Sequence, residues 1–450
     1  MSEAVTTRQQ ELAGKYRPYP KYKDSGVVWL GEMPSTWVLA KTARYFKIAM
    51  GQTILKEQLE DNGEWPVYSA TEGDHYFGRV NNPQVRLGCG DLVIPARGNS
   101  IGFVKLVKEQ VTTTQTTIYC KHLTQKIYPE YAYHFMVGQK ENLFWFTQTA
   151  IPQITVEEIG SNPILLPSFE EQRTIAAFLD YETAQIDRLI AQQQRLIELL
   201  KEKRQAVISH AVTKGLNPNA PMKDSGVEWL GQVPEHWQCV PFGLLVSRAD
   251  LGGNYLGGQE ENGIPFLKMG NLGRGRIVLD KLECLEEGSS FDDAHRLSMG
   301  DFLFNTRNSL DLVGKVAVWH DELEYVLYNS NLLRVRFKKD FISSPDFMGF
   351  VFNSSGALGW LALLAKGTTS VAAIYYKDLR SMVVPIPPVD EQNAISSFIS
   401  KCLSRLDTLE EKAIQSINLM NERRTALISA AVTGKIDLRG WTPPADEVAA

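Results

Sequence analysis

The chain has few cysteines, no long hydrophobic run and no secretion signal. Its five cysteines among 450 residues are scattered and never form a Cys-x-x-Cys pair. This excludes a disulfide framework or a zinc knuckle and predicts reduced thiols in a cytoplasmic protein. The most apolar run, residues 357–365, is about half as long as a membrane span requires, so we expect a core helix there. Residues 1–22 contain no apolar core of the signal-peptide type, so no secretion is expected.

The chain also lacks a surplus of basic residues. Its formal net charge is −5, whereas nucleic-acid-binding domains usually carry a basic surplus. No segment forms a polybasic tail. Any contact with DNA must therefore come from individually positioned loops, or a partner must supply much of the phosphate neutralisation.

Catalytic motifs are the third absence. The seven histidines show no His-x-x-x-His or His-Glu-x-x-His spacing, so no metal site is expected. The chain contains no phosphate loop of the Gly-x-x-x-x-Gly-Lys-Ser/Thr type, no Gly-x-Ser-x-Gly elbow and no Asn-Pro-Pro-Tyr motif of amino-methyltransferases. These absences predict a non-catalytic protein that binds rather than transforms its ligand.

The most informative feature that is present is a duplication. Residues 23–37 (KDSGVVWLGEMPSTW) return at 223–237 (KDSGVEWLGQVPEHW) with 10 of 15 positions identical. Residues 202–213 (EKRQAVISHAVT) return at 422–433 (ERRTALISAAVT), so the second repeat has 20 extra residues in its globular part. A duplicated unit of this size builds pseudo-twofold symmetry into one chain. Double-stranded DNA with two half-sites is the natural partner of such symmetry.

Each repeat combines a globular part with a long helix. Short β-rich runs with Gly and Asn turns predict a mostly antiparallel sheet. Each globular part closes at a proline-bounded exit, residues 163–167 or 385–388, followed by Glu-Glu-Gln or Asp-Glu-Gln. Acidic residues are typical of a first helical turn, so we interpret both triplets as helix starts rather than paired catalytic carboxylates. In the first repeat, Ser168 and Glu171 predict a capping box.

The helices that follow are predicted to pair with each other. Apolar residues recur with alternating spacings of four and three, which is typical of a coiled-coil seam. The alternative is two independent amphipathic helices, each lying on its own domain. The predicted seam consists of Ile175, Leu179, Ile186, Leu189, Leu196, Leu200 and Val207 in the first helix, and Ile395, Ile399, Cys402, Leu406, Leu409, Ala413, Met420 and Leu427 in the second.

The predicted fold class is α+β, with two tandem-repeated α/β domains separated by two long helices that pair as an antiparallel, pseudo-twofold coiled coil. The predicted segments are an N-terminal arm (1–22), the first domain (23–167), the first helix (168–215), the second domain (216–387), the second helix (388–436) and a C-terminal tail (437–450).

This order of features resembles the DNA specificity subunits of type I restriction-modification systems, which take part in phage defence. The resemblance covers nearly the whole chain. It implies two target recognition domains that each read one half of a bipartite asymmetric DNA target, with the helices as spacer and docking surface. It also implies two methyltransferase (modification) subunits and restriction/translocase subunits as partners. S-adenosylmethionine, ATP and Mg would be bound by those partners and not by this chain. The alternatives are a coiled-coil assembly scaffold and a stand-alone DNA-binding regulator.

Two loops in each domain carry the predicted DNA contacts. Arg97 and Arg307 occupy equivalent places in Gly/Asn-rich loops, where an arginine forks onto guanine or phosphate unless it pairs with a carboxylate of its own domain. Residues 265–276 resemble the recognition loop of the family, and residues 65–71 take the corresponding place; the alternative for both is a solvated turn. The predicted DNA-binding residues are Tyr68, Ser69, Thr71, Arg97, Asn99, Ser100, Lys268, Asn271, Arg274, Arg276, Arg307, Asn308 and Ser309.

Two further predictions concern the helices and the domain exits. The predicted partner-binding residues are Leu189, Leu196, Leu200, Leu406, Leu409 and Met420. The repeats differ near each exit, where Gln153 in the first copy corresponds to Ala373 in the second. A role for Gln153 toward DNA or a partner is left open at this point.

Overall fold

The chain folds into two compact units. The computed structural model describes residues 16–73, 75–144, 152–258, 263–286, 288–367 and 371–444, so residues 1–15 of the predicted arm and 445–450 of the predicted tail lie outside it. Unit 1 consists of Met1–Gln193 and Ile414–Ala450, and unit 2 of Gln194–Ala413. The division falls inside both long helices. Each unit therefore contains one globular domain, the first part of the helix that follows it and the last part of the other helix.

Unit 1 is built on an antiparallel sheet of order β4-β10-β7-β8 and a smaller sheet of order β6-β5-β9, in which β5 and β9 are parallel. Its elements are β1 (Tyr22–Asp24), β2 (Glu32–Pro34), β3 (Val38–Lys41), β4 (Phe46–Met50), β5 (Trp65–Tyr68), β6 (Gly78–Val80), β7 (Leu92–Pro95), β8 (Lys105–Leu106), β9 (Thr112–Thr113), β10 (Thr117–His122), α1 (Pro129–Gly138), α2 (Lys140–Leu143), α3 (Val156–Ser161), β11 (Pro163–Leu166) and α4 (Phe169–Lys214).

Unit 2 repeats this plan with the sheets β15-β23-β19-β21 and β16-β18-β17-β22, and adds the ribbon β20-β25-β24. Its elements are β12 (Met222–Asp224), β13 (Gln232–Pro234), β14 (Gln238–Pro241), α5 (Phe242–Leu245), β15 (Val246–Leu251), β16 (Gly257–Gly258), β17 (Pro265–Leu267), β18 (Glu283–Leu285), β19 (Phe302–Asn305), β20 (Arg307–Asn308), β21 (Val316–Val318), β22 (Leu327–Tyr328), β23 (Leu332–Phe337), α6 (Pro345–Phe352), α7 (Ser355–Leu364), β24 (Lys366–Gly367), β25 (Ala372–Ala373), α8 (Tyr376–Leu379), β26 (Val383–Ile386) and α9 (Val389–Val432).

The central strands β7 and β19 are buried on both faces. Because successive strand side chains point to opposite faces, Leu92 and Ile94 enter the main core of unit 1, while Val93 packs in a second cluster with Tyr68 of the smaller sheet. In unit 2, Phe302 likewise enters the main core and Leu303 a second cluster. The predicted α+β domains with mostly antiparallel sheets are confirmed.

The repeated tryptophan, glutamate and glutamine fix the start of each long helix. The buried Trp37 donates its indole N–H to Glu171 Oε1 at 3.1 Å, and Trp237 donates to Glu391 Oε2 at the same distance. The Ser168 hydroxyl does accept the N–H of Glu171 at 3.3 Å. The Glu171 carboxylate, however, bonds Trp37 and Tyr19, which replaces the return half of the predicted capping box.

Each glutamine of the triplet bonds the segment that precedes its helix. Gln172 donates to Pro167 O at 3.0 Å and accepts from Tyr128 N at 2.8 Å. Gln392 donates to Pro387 O at 3.0 Å and accepts from Ser343 N at 3.3 Å. The repeated acidic triplets therefore hold the proline exits to their domains.

The helices pair in antiparallel fashion inside each unit. In unit 1, Asp187 bonds Arg424 at 2.7 Å, while Phe178, which lies earlier in α4, contacts Trp441, which lies beyond α9. Residue numbers thus fall along one segment as they rise along the other. In unit 2, Arg204 pairs with Asp407, and a Cβ on Gly215 would lie 3.1 Å from Glu391 Oε1. The alternative of two unpaired helices is excluded.

At three positions the observed seam is shifted by one residue from the predicted seam. Leu189, Leu196 and Leu409 are exposed, so their assignment to the helix-helix seam is wrong. The residue that follows each of them is half-buried instead: Ile190, Ile197 and Glu410.

The repeated segment that ends each helix packs into a globular core. Ala426, Leu427, Ile428 and Val432 are buried in the core of unit 1, and Ile208 and Val212 in that of unit 2. Small residues permit this close packing, since a Cβ on Gly138 would lie only 2.7 Å from Ile428 Cγ2. Gly215 directly follows α4, and Gly434 lies two residues beyond α9; their φ angles of 74° and 71° favour glycine.

Within the residues described, no single helix has the length and apolar character of a membrane span. One bent pair, Pro345–Phe352 with Ser355–Leu364, passes this test by length and composition alone. The predicted helix in the apolar run 357–365 is present, with Ala357 and Leu361 buried and Leu363 exposed.

Candidate nucleic-acid interface

Unit 1 brings its two predicted DNA-binding loops together. Ser100 donates its hydroxyl proton to Ala70 O at 2.8 Å, and the buried Lys105 donates to Gly73 O. These bonds join the loop after β5 to the loop after β7. The backbone of Arg97 forms an antiparallel bridge with Gln153, which lies just before α3. Three segments that are distant in sequence therefore converge around Arg97.

Unit 2 joins the equivalent loops with different residues. Arg274 donates to Asp311 O at 3.1 Å, and Gly275 N donates to Val316 O at 2.7 Å. Arg307 in β20 pairs with Ala373 in β25, which pairs in turn with Lys366 in β24. The two loops that carry the predicted DNA contacts are therefore adjacent in both units, an arrangement that the sequence did not predict.

The side chains of the two predicted arginines have no partner among the residues that the structure describes. Arg97 and Arg307 are both exposed, and neither guanidinium forms a hydrogen bond or an ion pair with the residues that the structure describes. The buried Arg334 provides a contrast, because it donates to Asp250 Oδ2 at 3.0 Å and to Ala294 O at 2.9 Å. The alternative in which Arg97 and Arg307 pair with a carboxylate of their own domain is not observed. With respect to the described part of the chain, both guanidinium groups have all five N–H donors available for an acceptor.

Positive charge is concentrated at residues 265–276, the predicted recognition loop of unit 2. Partial burial lowers the pKa of Arg274, and burial together with the nearby positive charge of Arg274 lowers the pKa of Lys315. Among the described residues no carboxylate bonds either side chain, nor Arg276, which is exposed. Like charges held together without a counterion favour binding of an anion such as a phosphate.

Lys315 was missed at the sequence level. It lies eight residues after Arg307 in the chain and reaches the loop only because β19 and β21 are adjacent. In the sequence, its position is marked only by the dipeptide Gly314-Lys315, which follows the loop that contains Arg307.

Some predicted contact residues form bonds or contacts within their own domain that stabilise the loops. The buried Asn271 accepts from Lys268 N at 2.9 Å and donates to Val278 O at 2.9 Å, so its amide shapes its own loop. Lys268 forms an ion pair with Glu283. The buried Tyr68 packs against Tyr76, with ring centroids 4.9 Å apart. Together with Ser100, these side chains are better placed to support the loops than to contact bases.

The remaining predicted contact residues lie on the loop surfaces. Thr71, Asn99 and Ser309 are exposed, and Ser69 and Asn308 are half-buried. The Asn308 side chain accepts from Ser309 N at 2.9 Å, and Thr71 N donates to Ser69 O at 2.8 Å. Their predicted contacts with DNA stay predictions.

The six predicted partner-binding residues differ in their exposure to solvent. Leu189, Leu196 and Leu409 are 48%, 39% and 47% exposed. Leu200 is buried, and Leu406 and Met420 are half-buried. Only the first three lie open to a partner.

Within the described parts of the chain, no group of three or more His, Cys, Asp or Glu side chains is placed to hold a metal ion. Both loop clusters offer hydrogen-bond donors and positive charge, which suit base edges and phosphates.

The chain is similar in sequence to known proteins. The chain is 27% identical over 277 residues to the type I restriction enzyme EcoKI specificity subunit of Escherichia coli (strain K12), covering 61% of this chain and 57% of that protein. The chain thus matches little more than half the length of that relative. It is 24% identical over 428 residues to the MjaVIII specificity subunit of Methanocaldococcus jannaschii, covering 90% and 94% of the two proteins.

A solved structure supports the fold. A chain from work on the complex assembly and conformational transition of the type I R-M system superposes with a TM-score of 0.66 at 16% identity, covering 89% of this chain and 98% of the other. Residues 34–199 and 258–419, well over half of this chain, match the family described as type I restriction modification DNA specificity domain. With its duplicated domains and paired helices, the chain belongs to this family of type I specificity subunits.

Proposed function

We propose that the chain is the sequence-specific DNA-recognition subunit of a type I restriction-modification complex, with each domain reading one half of a bipartite asymmetric target. The observation that carries this proposal is the pair Arg97 and Arg307. Both are exposed, lie at the same backbone position of the two domains and lack a partner among the described residues. Because the residues around them differ, the two domains present different surfaces to DNA.

The paired helices are the proposed docking surface for the catalytic partners. Leu189 and Leu409 occupy the same position of the two repeats, as do Leu199 and Leu419, and all four are exposed. Each unit thus carries one leucine from each pair, Leu189 with Leu419 in unit 1 and Leu409 with Leu199 in unit 2. Two equivalent apolar surfaces suit two copies of one partner, which we propose are the two methyltransferase subunits.

Chemistry and cofactors are assigned to the partners. The chain carries no catalytic constellation in its sequence, so we propose that the methyltransferase subunits bind S-adenosylmethionine. Restriction/translocase subunits would bind ATP and Mg. The proposed location of the complex is the cytoplasm, where the DNA lies.

Co-expression with a type I methyltransferase subunit tests this function. We expect a stable complex that methylates DNA at two positions of one split target, detected by sequencing of methylated bases. A complex that forms but methylates without sequence preference would favour the assembly scaffold. Binding to a single DNA site without any methyltransferase partner would favour the stand-alone regulator.

Substitutions on the helices test the docking surface. Leu189→Lys and Leu409→Lys each place a charge on one of the two equivalent surfaces, and each should reduce capture of the methyltransferase subunit by about half. Leu363→Lys is the matched control, because Leu363 is 78% exposed but lies on α7, outside the long helices. Equal capture by all three variants would refute docking at these leucines.

A further inference from the structure

The residue opposite each arginine differs between the two domains. The bridge between Arg97 and Gln153 in unit 1 corresponds to the pair Arg307 and Ala373 in unit 2. The isoleucine that follows Gln153 or Ala373 supports this correspondence. Ile154 N donates to Ala96 O and Ile374 N donates to Thr306 O, both at 3.0 Å. Residues directly opposite on paired strands present their side chains on one face. Gln153 is exposed, and its amide has no partner among the described residues.

A cavity lies beside the arginine in unit 2. It has a volume of about 280 Å³, and its lining includes Arg307, Ala373, Asn254, Asn331, Leu251 and Tyr375. Leu251 and Tyr375 are 52% and 46% exposed, so aliphatic and aromatic surface borders the polar groups.

The lining combines the groups that recognise a base edge in a DNA groove. Aliphatic and aromatic surface offers an apolar contact for a thymine methyl group, an asparagine amide matches the donor and acceptor pattern of a base edge, and an arginine fork matches guanine or a phosphate. The Ala373 side chain is a single methyl group at this cavity. A glutamine, as found at the same position in unit 1, would extend its amide from that point.

We propose that the cavity beside Arg307 is the base-binding subsite of the second domain, opened by Ala373, and that Gln153 is itself a base-reading residue beside Arg97 in the first domain. This inference rests on the proposed function, because it assumes that both arginine loops face DNA. Gln153 would pair with a base edge through its amide, for which adenine is the preferred match. The cavity would receive a base edge or a methyl group of the second half-site.

Reciprocal substitutions in the complete methyltransferase complex test the proposal. Ala373→Gln fills the subsite. It should lower methylation of the parent target roughly 5- to 150-fold, or shift the ratio of methylation between bases at one position of the second half-site by the same factor. Gln153→Ala should relax the preference at one position of the first half-site by a similar factor. In each variant the other half-site should keep its preference, as measured by methylation of a library randomised at every target position.

Three further variants separate the proposal from effects on folding. Ala373→Ser keeps the cavity open and should behave like the parent. Tyr375→Leu removes the aromatic surface without filling the cavity and should weaken the second half-site only. Gln84→Ala is the matched control for Gln153→Ala, because Gln84 is also an exposed glutamine of the first domain. Assembly and thermal unfolding of each complex are measured beside methylation.

The possible results distinguish this proposal from the proposed function. If the parent complex methylates a bipartite target but Ala373→Gln, Tyr375→Leu and Gln153→Ala keep the parent preference at every position, the subsite is refuted and the function stands. If the parent complex shows no sequence-specific methylation, both are refuted. A change of both half-sites by either single substitution would also overturn the proposal.

Discussion

Replacing Arg307 with alanine should weaken specific DNA binding without weakening the fold. The guanidinium is exposed and has no partner among the described residues, so its removal breaks no ion pair and leaves no buried group unsatisfied. Exposed substitutions of this kind usually change the free energy of unfolding by less than about 0.5 kcal/mol. The loss should therefore appear in binding alone.

The size and form of the loss identify the atom that Arg307 contacts. A base contact should cost about 1–3 kcal/mol, or roughly 5- to 150-fold in Kd, concentrated at one base pair of the target. A phosphate contact should weaken binding to all sequences about equally and reduce the slope of log K against log salt by about 1. Fluorescence anisotropy with the complete complex, on the intact target and on single-base variants across a salt series, measures both quantities.

Lys339→Ala is the control for Arg307→Ala, because Lys339 is an exposed cation of the same unit outside the two loops. Its effect on binding should be small at physiological salt. Arg97→Ala should repeat the effect of Arg307→Ala on the other half-site. Parent-like affinity and salt slope for both arginine variants, in folded complexes at matched salt, would refute the assignment of these loops to DNA.

Three further predictions concern methyl transfer by the isolated chain, exchange of the first domain, and the start of α9. The purified chain incubated with S-adenosylmethionine should leave DNA unlabelled, and methyl transfer without a partner subunit would contradict the assignment of chemistry to the partners. Replacing residues 38–162 with the corresponding domain of a relative should change one half-site only, as read by methylation mapping; a change of both would indicate a single composite reading surface. Trp237→Phe should lower the free energy of unfolding of unit 2 by about 1.5–3 kcal/mol in urea titrations, because the partly buried Glu391 loses a charge-assisted hydrogen bond. An unchanged unfolding midpoint and slope for Trp237→Phe would show that this bond does not hold the helix start.

The sequence was sufficient for the repeat, the domain type and the helix pairing, because these depend on local patterns. The two signatures around Trp37 and Trp237 and the periodicity of the helices are visible without coordinates. The seam was displaced by one residue because Leu and Ile are adjacent at 189–190 and again at 196–197. Both choices give a spacing of four and three, so tertiary contacts decide between them.

The sequence could indicate candidate site residues only where a single loop carries them. Arg97 and Arg307 stand in Gly-rich loops that the repeat aligns, and the structure leaves both free of partners among the described residues. The position of Gln153 opposite Arg97 depends on a bridge between residues 56 positions apart, which no local pattern contains. The roles of Asn271 and Lys268 were likewise invisible, because their partners Val278 and Glu283 come into reach only once the loop has closed.

The duplicated frame accounts for the two different reading surfaces that we propose. In both units a buried tryptophan, a glutamate and a glutamine hold the helix start to the domain, so the ends of the sheet strands are fixed by contacts far from the loops. Arg97 and Arg307, which lie just beyond the buried strands β7 and β19, are exposed, and changing such side chains usually costs little stability. The pair Arg97 and Gln153 and the pair Arg307 and Ala373 use the same backbone bridge with different side chains. Under the proposed function, such a frame allows each domain to have its own DNA sequence preference while the contacts at the helix start stay the same.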